Sequence, residues 1–324
     1  MRLSKPRITI GLPVYNGEAF LGTALESLLA QRYSDFQIVV SDNASTDCTE
    51  EISREYVKHD SRVRYDRLDE NIGAVGNFNH VFRFCDSQYF KWAACDDAYE
   101  STYLERCIAE MDRNESVVWC HSQSGKIDEH GRVLQIEDPR AEGWSHTSHA
   151  GLPRANSQSK SRYRRFRGVL LGTVWCADSY GVIRSEALRK TKLFPACFGS
   201  ERVLIGALSL QGQYAEVPET LFYQRIHSQA AGSICSAADQ AAYAVGKKPK
   251  RCIPTRPLLL KGHLDVIRNT QMSFGDRMLC RFAIVQYLCQ VRKWKRVITE
   301  TITGRGVGQL RNRTKTLLND SRVR

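Results

Sequence analysis

Apolar residues in the first hundred positions alternate between two spacings. Four short runs rich in β-branched and aromatic residues have the pattern of buried strands: Arg7–Val14, Phe36–Ser41, Arg62–Leu68 and Tyr89–Ala94. Between them, apolar side chains recur at helical spacing, which predicts helices at 20–29, from Thr49 toward Lys58 and around Ala74–Cys85. Strand–helix repeats of this length predict right-handed crossovers and a mainly parallel sheet. The predicted fold class is therefore α/β, with a central sheet flanked by helices.

The second half of the chain has a less regular pattern. Residues 126–136 predict two short strands around a turn, and the polar, aperiodic residues 137–165 are typical of a functional or mobile loop. The remaining predicted elements are a helix at Tyr163–Gly172, a strand at Tyr180–Arg184, a helix from Glu201 to Leu210, and strands at Gln213–Val217 and Leu221–Arg225. Helical patterns dominate from Gly232 onward. We predict an α/β domain over residues 1–230 and a mainly helical extension over residues 231–324.

Charge is distributed unevenly along the chain. The formal net charge is +12, but residues 246–324 hold 19 Lys and Arg against 4 Asp and Glu, while residues 1–245 have a balance of −3. A basic extension of this kind suits nucleic acid, anionic lipid or an acidic partner, and charge alone does not choose among them. Aromatic residues of the extension (Phe274, Phe282, Tyr287 and Trp294) lie at roughly helical spacing, which favours burial in a core over base stacking. We therefore expect no nucleic-acid partner.

Cysteine usage and hydropathy bear on the location of the protein. The 11 cysteines include no C-x-x-C pair, and the N-terminal residues run directly into a strand pattern without a signal-peptide apolar stretch. No apolar run approaches the roughly eighteen residues that a transmembrane helix needs. These features predict a reduced protein in the cytoplasm.

Polar clusters follow three of the predicted strands. Pro13-Val14-Tyr15-Asn16 comes after the first strand, Ser41-Asp42-Asn43 after the second, and Asp96-Asp97 after the fourth. In an open parallel sheet, ligands bind outside the carboxyl ends of the strands. Each cluster taken alone is also an ordinary turn or helix cap. Three clusters at one edge of the sheet indicate a ligand site.

The adjacent carboxylates of Asp96 and Asp97 indicate the chemistry of that site. They repel each other unless a cation or solvent separates them. A divalent ion such as Mg²⁺ is commonly held by one or two carboxylates and by substrate phosphates. The alternative is that the pair caps a helix starting near Ser101. Cys95, beside the pair, is either a nucleophile or a structural thiol, and its position at a strand end favours the latter.

The segment PRITIGLPVYNGEAFLGTALESLLAQRYSDFQIVVSDNASTDCTEEI resembles the opening of the family 2 glycosyltransferases, which have the GT-A fold. NIGAVGNFN, the Asp96-Asp97 pair, FGSERVLIGALSLQG and VPETLFYQRIH extend the resemblance to about residue 230. It implies transfer of a sugar from a nucleotide-diphosphate donor, most simply a UDP-sugar, with inversion and with Mg²⁺ or Mn²⁺. The implied acceptor is a saccharide or a lipid-linked glycan.

Residues that match the family's motifs receive roles by this resemblance. The donor-binding set is Pro13, Tyr15, Asn16, Glu18, Asp42, Asn71, Gly73, Asp96 and Arg225. Asp96, Asp97 and His227 match the metal and diphosphate positions, although Ala94 replaces the first Asp of the common D-x-D-D form. Glu201 matches the catalytic base, with the alternative that it caps its own helix. Trp175 and Asp178 are expected on the acceptor side.

Two functions from different classes therefore fit the sequence. The first is an inverting, metal-dependent glycosyltransferase of polysaccharide or lipid-linked glycan assembly. The second is a non-catalytic protein of the same fold that uses its basic extension on nucleic acid or anionic lipid. Within residues 274–299, apolar positions lie among basic ones, which is the pattern of a helix at a membrane interface; the alternative is a helix docked on the catalytic domain. We expect a peripheral contact at the inner face of the membrane.

Overall fold

A computed structural model describes residues 5–134, 154–172, 177–234, 236–248 and 255–290 of the chain. Its centre is an eight-stranded sheet in the order β3-β2-β1-β4-β7-β6-β8-β5. The strands are β1 Ile8–Val14, β2 Phe36–Asp42, β3 Val63–Arg67, β4 Tyr89–Trp92, β5 Ala98–Tyr99, β6 Val117–Ile127, β7 Val182–Arg184 and β8 Gln213–Arg225. Strands β1 to β4 are parallel, as predicted. β7 runs antiparallel to its neighbours β4 and β6, and β5 runs antiparallel to β8, so the sheet is mixed.

Helices cover both faces of the sheet. They are α1 Leu21–Leu29, α2 Thr49–His59, α3 Gly73–Val81, α4 Tyr103–Arg113, α5 Arg154–Ser157, α6 Arg162–Gly172, α7 Ser185–Arg189, α8 Glu201–Gln211, α9 Ala237–Val245, α10 Thr255–Asn269 and α11 Phe274–Leu288. Short 3₁₀ turns lie at Phe82–Phe84, Ala177–Tyr180 and Ala231–Ser233. Within the described ranges, no helix is both long enough and apolar enough to span a membrane.

Alternating side chains of the strands build two separate cores. Ile8, Ile10 and Leu12 of β1 are fully buried on one face, where they pack with Leu21, Leu25 and Leu28 of α1. Val39, Phe90 and Trp92 contribute to the core on the other face, together with Leu204, Ile205 and Leu208 of α8. Because both faces are buried, the strand sequences are almost continuously apolar, which explains why the pattern of β1, β2 and β4 was readable in the sequence.

Two predicted elements differ from the observed ones. The strands expected at Gln213–Val217 and Leu221–Arg225 form one long strand, β8, whose pairing with β6 shifts register near Ser122 and Gln123. These irregularities let the strand continue through Pro218-Glu219, where the sequence suggested a break. The predicted turn at 128–131 is confirmed, because Ile127 and Val133 pair across it in an antiparallel bridge.

The helices beyond residue 231 pack on the α/β unit. α9 contacts α3, α10 contacts α8, and α11 contacts α6. Cys280, Ala283, Ile284 and Tyr287 of α11 share a core with Phe166 and Leu170 of α6. The expectation of burial is confirmed for Tyr287, but it is wrong for Phe274 and Phe282, which are 79% and 52% exposed. Trp294, residues 137–153 of the predicted loop and the tail from 291 onward lie outside the described residues, and the predicted loop is wrong at Arg154–Ser157, which forms α5.

Candidate active site

The carboxylates of Asp96 and Asp97 lie where the chain leaves β4 and meets the end of β8. The backbone N–H of Arg225 donates to Asp97 Oδ1 over 2.9 Å, and Arg225 Nε donates to the Asp96 carbonyl oxygen over 2.8 Å. His227 Nε2 lies 2.9 Å from Asp96 Oδ2. The pair does not cap a helix, because α4 begins only at Tyr103, after the N-cap residue Thr102. The predicted residues Asp96, Asp97, Arg225 and His227 therefore form one cluster.

Arg225 has a structural position inside that cluster. Its Nη1 donates to the carbonyl oxygens of Asp128 and Glu129 over 3.1 and 3.2 Å, so it ties the turn after β6 to the acidic pair. The guanidinium lies 4.9 Å from the ring centroid of Phe20, and the residue is 4% exposed. The Phe20 ring also packs on His227 at 4.6 Å. Arg225 thus holds the acidic pair in place.

Burial opposes a negative charge on Asp97. The residue is 2% exposed, and this burial, followed by the charge of Asp96, raises the pKa of Asp97 well above its usual range. The N–H of Arg225 and the charges of Lys91 and Lys126 act in the opposite direction. Lys91 is fully buried in β4, donates to the Tyr180 carbonyl oxygen over 2.6 Å, and has its pKa lowered to about 7 by burial. A cation beside the carboxylates would stabilise both charges.

The cluster is not a preformed metal site. In the part of the chain that the structure describes, no three His, Cys, Asp or Glu side chains are arranged so that they could hold a metal ion by themselves. Asp96, Asp97 and His227 offer carboxylate oxygens and one imidazole nitrogen, and a diphosphate would have to supply further oxygens. Mg²⁺ is usually bound in this incomplete way by one or two carboxylates and substrate phosphates.

Asp42 lies at the end of β2 and is fully buried. Its Oδ1 accepts from the Ser45 N–H over 2.8 Å, and its Oδ2 accepts from Tyr65 Oη over 2.7 Å and from Arg67 Nη1 over 2.6 Å. Both carboxylate oxygens are therefore bonded within the protein. In this conformation Asp42 shapes the loop that follows β2, whereas the resemblance gave it a direct contact with the base or ribose.

Asn71 and Gly73 lie beside that loop and lock it to α9. Asn71 Oδ1 accepts from Asn43 Nδ2 over 3.0 Å and from the Gly73 N–H over 2.8 Å. Gly73 has φ +80°, and a Cβ there would lie 2.4 Å from the backbone nitrogen of Gly246. Gly246 has φ +79° and ends α9, and its own Cβ would lie 2.6 Å from the Asn71 carbonyl oxygen. Two glycines thus allow the two backbones to touch.

The loop after β1 contains the other predicted donor residues. Pro13 is buried in β1, Tyr15 is 48% exposed, and Asn16 adopts φ 51° with its Oδ1 accepting from the Thr46 N–H over 2.9 Å. Glu18 Oε2 accepts from the Cys48 N–H over 3.0 Å, and its side chain lines a depression between α1 and α2. Tyr15 is therefore the accessible aromatic ring of this loop, and Glu18 faces the start of α2.

Glu201 is the first residue of α8, after the N-cap residue Ser200. Its carboxylate has no hydrogen-bond or ion-pair partner in the described residues, and the start of α8 has no side-chain cap. The cap alternative is therefore wrong for this structure. Burial and then the charges of Asp97, Tyr243, Asp96 and Glu201 raise the pKa of Tyr180, so Glu201 and the acidic pair both act electrostatically on this hydroxyl.

Tyr243 is a residue of this site that sequence reasoning missed. Tyr243 is 42% exposed, and its partial burial, followed by the charges of Asp96, Cys95 and Glu201, raises the pKa of its hydroxyl. Its ring packs edge-on against Phe198 at 6.2 Å, three residues before Glu201. The local sequence of α9, AADQAAYAV, contains no catalytic signal. Tyr243 reaches Phe198 because α9 docks on α3.

Two further sequence-based expectations have clear outcomes. Burial, followed by the charges of Asp96 and Asp97, raises the pKa of the Cys95 thiol well above its usual value, which favours the structural role over the nucleophile. Asp178 is fully buried and accepts from Tyr214 Oη over 2.8 Å, so its expected place on the acceptor side is wrong. Trp175 lies outside the described residues.

The chain matches the model of one known protein family. The family model described as Glycosyl transferase family 2 matches residues 9–190, which is more than half of the chain. The chain belongs to glycosyltransferase family 2. Chondroitin synthase of Escherichia coli is 28% identical to this glycosyltransferase over 130 residues, which are 40% of this chain and 19% of the relative. The match spans less than half the length of the curated relatives, for example 19% of chondroitin synthase.

Solved structures agree in fold. Staphylococcus aureus TarS (residues 1–349) in complex with UDP-GlcNAc superposes with a TM-score of 0.56 at 14% identity, over 87% of this chain and 71% of TarS. The mannosyltransferase PcManGT of Pyrobaculum calidifontis, in complex with GDP-Man and Mn²⁺, gives a TM-score of 0.54 at 14% identity, over 93% and 86% of the two chains. The glycosyltransferase therefore has the GT-A fold, as the sequence resemblance implied.

Proposed function

We propose that this glycosyltransferase transfers a sugar from a nucleotide-diphosphate donor, a UDP-sugar, to an acceptor hydroxyl with inversion and with Mg²⁺ or Mn²⁺. The observation that carries the proposal is the cluster of Asp96, Asp97, Arg225 and His227, in which hydrogen bonds join the end of β8 to the acidic pair. The UDP-GlcNAc of TarS and the GDP-Man and Mn²⁺ of PcManGT support this class of donor and ion.

The loops after β1 and β2 would enclose the nucleotide. Tyr15 offers an exposed ring for stacking, and Asn16 and Asp42 hold the two loops in shape through Thr46 and Ser45. Asn71 and Gly73 close the same side through their contact with α9. In this proposal Tyr15 contacts the nucleotide, and Asn16, Asp42, Asn71 and Gly73 position the loops around it.

Asp96, Asp97 and His227 would hold the divalent ion together with the donor's diphosphate. A bound ion supplies electrostatic stabilisation of the charge that develops on the leaving diphosphate. The chain's own contribution is to keep the carboxylates fixed: Arg225 bonds to the side chain of one and the carbonyl of the other. Preorganised groups of this kind need not reorganise during the reaction.

Glu201 would act as the general base. Its carboxylate has no hydrogen-bond or ion-pair partner among the described residues, and it belongs to the first residue of α8. It would take the proton from the acceptor hydroxyl as the oxygen attacks the anomeric carbon from the face opposite the diphosphate. One displacement inverts the configuration at that carbon, so no covalent enzyme intermediate is required.

The acceptor is proposed to be a saccharide or a lipid-linked glycan of polysaccharide assembly, in the cytoplasm. The relationship to chondroitin synthase supports polysaccharide synthesis. The aromatic pair Phe198 and Tyr243 beside Glu201 is a suitable apolar platform for a sugar ring.

A thermal-shift screen tests the donor and the ion together. UDP, UDP-GlcNAc and GDP-mannose are added with and without Mn²⁺, and a ligand of the folded state raises the melting temperature. We expect a UDP-type shift that grows with Mn²⁺ and is lost in Asp96→Asn. Asp66→Asn is the matched control, because Asp66 bonds to His80 over 2.8 Å as Asp96 does to His227.

If no nucleotide shifts the melting temperature, the non-catalytic alternative replaces the proposal. The stereochemistry needs a separate measurement, which is the anomeric proton signal of the product by NMR. An inverted configuration is expected, and a retained configuration would overturn the single-displacement mechanism.

A further inference from the structure

Helix α11 has two apolar faces, of which one is buried. Cys280, Ala283, Ile284 and Tyr287 pack against α6 in a shared core. Arg277 Nη1 donates to the carbonyl oxygens of Ile267 and Arg268 over 2.7 and 3.0 Å, which ties the start of α11 to the end of α10. The helix is therefore held in a fixed orientation on the α/β unit, and its other face points away from the protein.

That other face, here named the outer face of α11, is apolar and exposed to solvent. Its residues and exposed fractions are Phe274 79%, Met278 45%, Leu279 46%, Phe282 52%, Val285 52% and Leu288 44%. Leu264 of the neighbouring α10 is also exposed, at 43%. Folded proteins seldom leave a contiguous row of large apolar side chains in water, and such a row marks an interaction site.

Basic side chains accompany the outer face. Arg281 is an exposed residue of α11, and the Arg268 side chain on α10 is 73% exposed. The acidic residues of α10 and α11 are engaged locally, Asp265 by Arg268 and Asp276 by the cap residue Ser273. In the sequence, α11 is followed by Arg292, Lys293, Lys295 and Arg296, and residues 246–324 have a balance of +15. The segment of the chain that contains the outer face is thus strongly cationic.

We propose that the outer face of α11 lies in the interface of a membrane that contains anionic lipid. A helix with an apolar face and flanking Lys and Arg lies in the plane of the interface, with its apolar side chains among the acyl chains. Anionic headgroups then meet the basic residues. A second copy of the same cationic surface would be repelled. A nucleic acid would leave the apolar side chains of Met278, Leu279, Val285 and Leu288 exposed to water.

Co-sedimentation with vesicles tests this surface without reference to catalysis. The full chain is mixed at low salt with vesicles of phosphatidylcholine alone, or with about one third phosphatidylglycerol. We expect the protein to pellet with the anionic vesicles and to be released by high salt. Phe282→Ser should reduce the partition coefficient by roughly tenfold or more, because a side chain of this size contributes that much on burial.

Matched variants separate the surface from a general loss of hydrophobicity. Val285→Ser on α11 should weaken binding, whereas Val57→Ser, at a valine that is 39% exposed on α2, should not. All three variants should retain the melting temperature of the unchanged chain, since each substituted side chain is substantially exposed. Equal binding of Phe282→Ser and the unchanged chain to anionic vesicles would overturn the proposal.

Two other outcomes would also overturn it. A Phe282-dependent dimer in analytical ultracentrifugation, with no vesicle binding, would assign the outer face to a second copy. Phe282-dependent binding of a single-stranded oligonucleotide, again with no vesicle binding, would assign it to nucleic acid. Because none of these measurements uses a sugar donor, they remain interpretable if the proposed transferase function fails.

Discussion

Asp97 is buried in an environment that opposes its negative charge. A neutral residue at this position should therefore affect the transfer rate and the melting temperature differently. Asparagine at this position is neutral and of the same size, and its side-chain oxygen still accepts from the Arg225 N–H, which lies 2.9 Å from Asp97 Oδ1. Asp97→Asn should therefore melt at the same or a higher temperature. Its transfer rate should fall by about a hundredfold or more, as for the loss of a preorganised electrostatic group.

The assay for this prediction is transfer of labelled sugar, with a thermal melt of the same sample. EDTA should abolish activity in the unchanged chain, and added Mn²⁺ should restore it. Full activity in EDTA would exclude a metal-dependent mechanism while leaving the family assignment unaffected. Asp66→Asn serves as the carboxylate control, with activity expected to stay normal.

Glu201 is the proposed general base, and its replacement tests that role directly. Replacing a positioned general base typically lowers the rate by about 10²–10⁴. We expect Glu201→Gln to lose at least about a hundredfold in kcat while the affinity for the donor stays nearly unchanged. Glu186→Gln is the matched control, because Glu186 also lies in the first turn of a helix, α7, and is exposed. Unchanged kcat in Glu201→Gln would assign the proton transfer to another carboxylate.

At the scale of elements, the contact between α3 and α9 holds Asn71 and Gly73, two residues of the proposed donor site, in place. Gly246→Ala places a Cβ 2.6 Å from the Asn71 carbonyl oxygen at a residue with φ +79°. A left-handed conformation costs roughly 1–2 kcal/mol in a residue other than glycine. The backbones must also move apart, so we expect a lower melting temperature and a higher KM for the donor.

Gly275→Ala is the comparison for this change. Gly275 lies in the first turn of α11, and its nearest neighbour for an added Cβ is Ser273 Oγ at 4.0 Å. Alanine in a helix is favourable relative to glycine, so this variant should be as stable as the unchanged chain or more so. A donor KM that is equal in Gly246→Ala and Gly275→Ala would show that α9 does not influence the donor side.

For the whole molecule, buried histidines predict the response of stability to acid. His263 of α10 is 3% exposed beside Gly206 of α8, and burial lowers its pKa to about 4. Between this value and the ordinary pKa of about 6.5, the unfolded chain binds a proton that the folded chain does not. The free energy of unfolding therefore falls as the pH falls through this window. His121, whose pKa burial lowers well below its usual value, acts in the same direction.

Urea unfolding at two pH values measures the contribution of His263. Between about pH 7 and pH 5, the shift cited for His263 corresponds to a loss of about 2 kcal/mol. His263→Gln cannot take up the proton, so its free energy of unfolding should depend less on pH over the same range. An identical pH dependence in both proteins would contradict the assignment of this effect to His263.

The sequence by itself determined the elements whose information is local. The strands β1, β2 and β4, the polar clusters at their ends and the family motifs could all be read from short segments, because burial on both faces of a parallel sheet leaves continuous apolar runs. The long strand β8 could not be read in this way, since its pairing with β6 continues across register shifts near Ser122 and Gln123.

Only the tertiary structure decided how distant residues meet. Arg225 and Asp97 are 128 positions apart in the chain, and their hydrogen bond depends on the antiparallel pairing of β5 with β8. The same holds for Tyr243, which packs on Phe198 near Glu201 because Gly73 and Gly246 allow α9 to pack closely on α3. The periodicity of α11 indicated apolar positions, but not which of them face α6 and which, such as Phe282, face solvent. Local patterns encode the spacing of side chains, whereas their partners depend on how the whole chain packs.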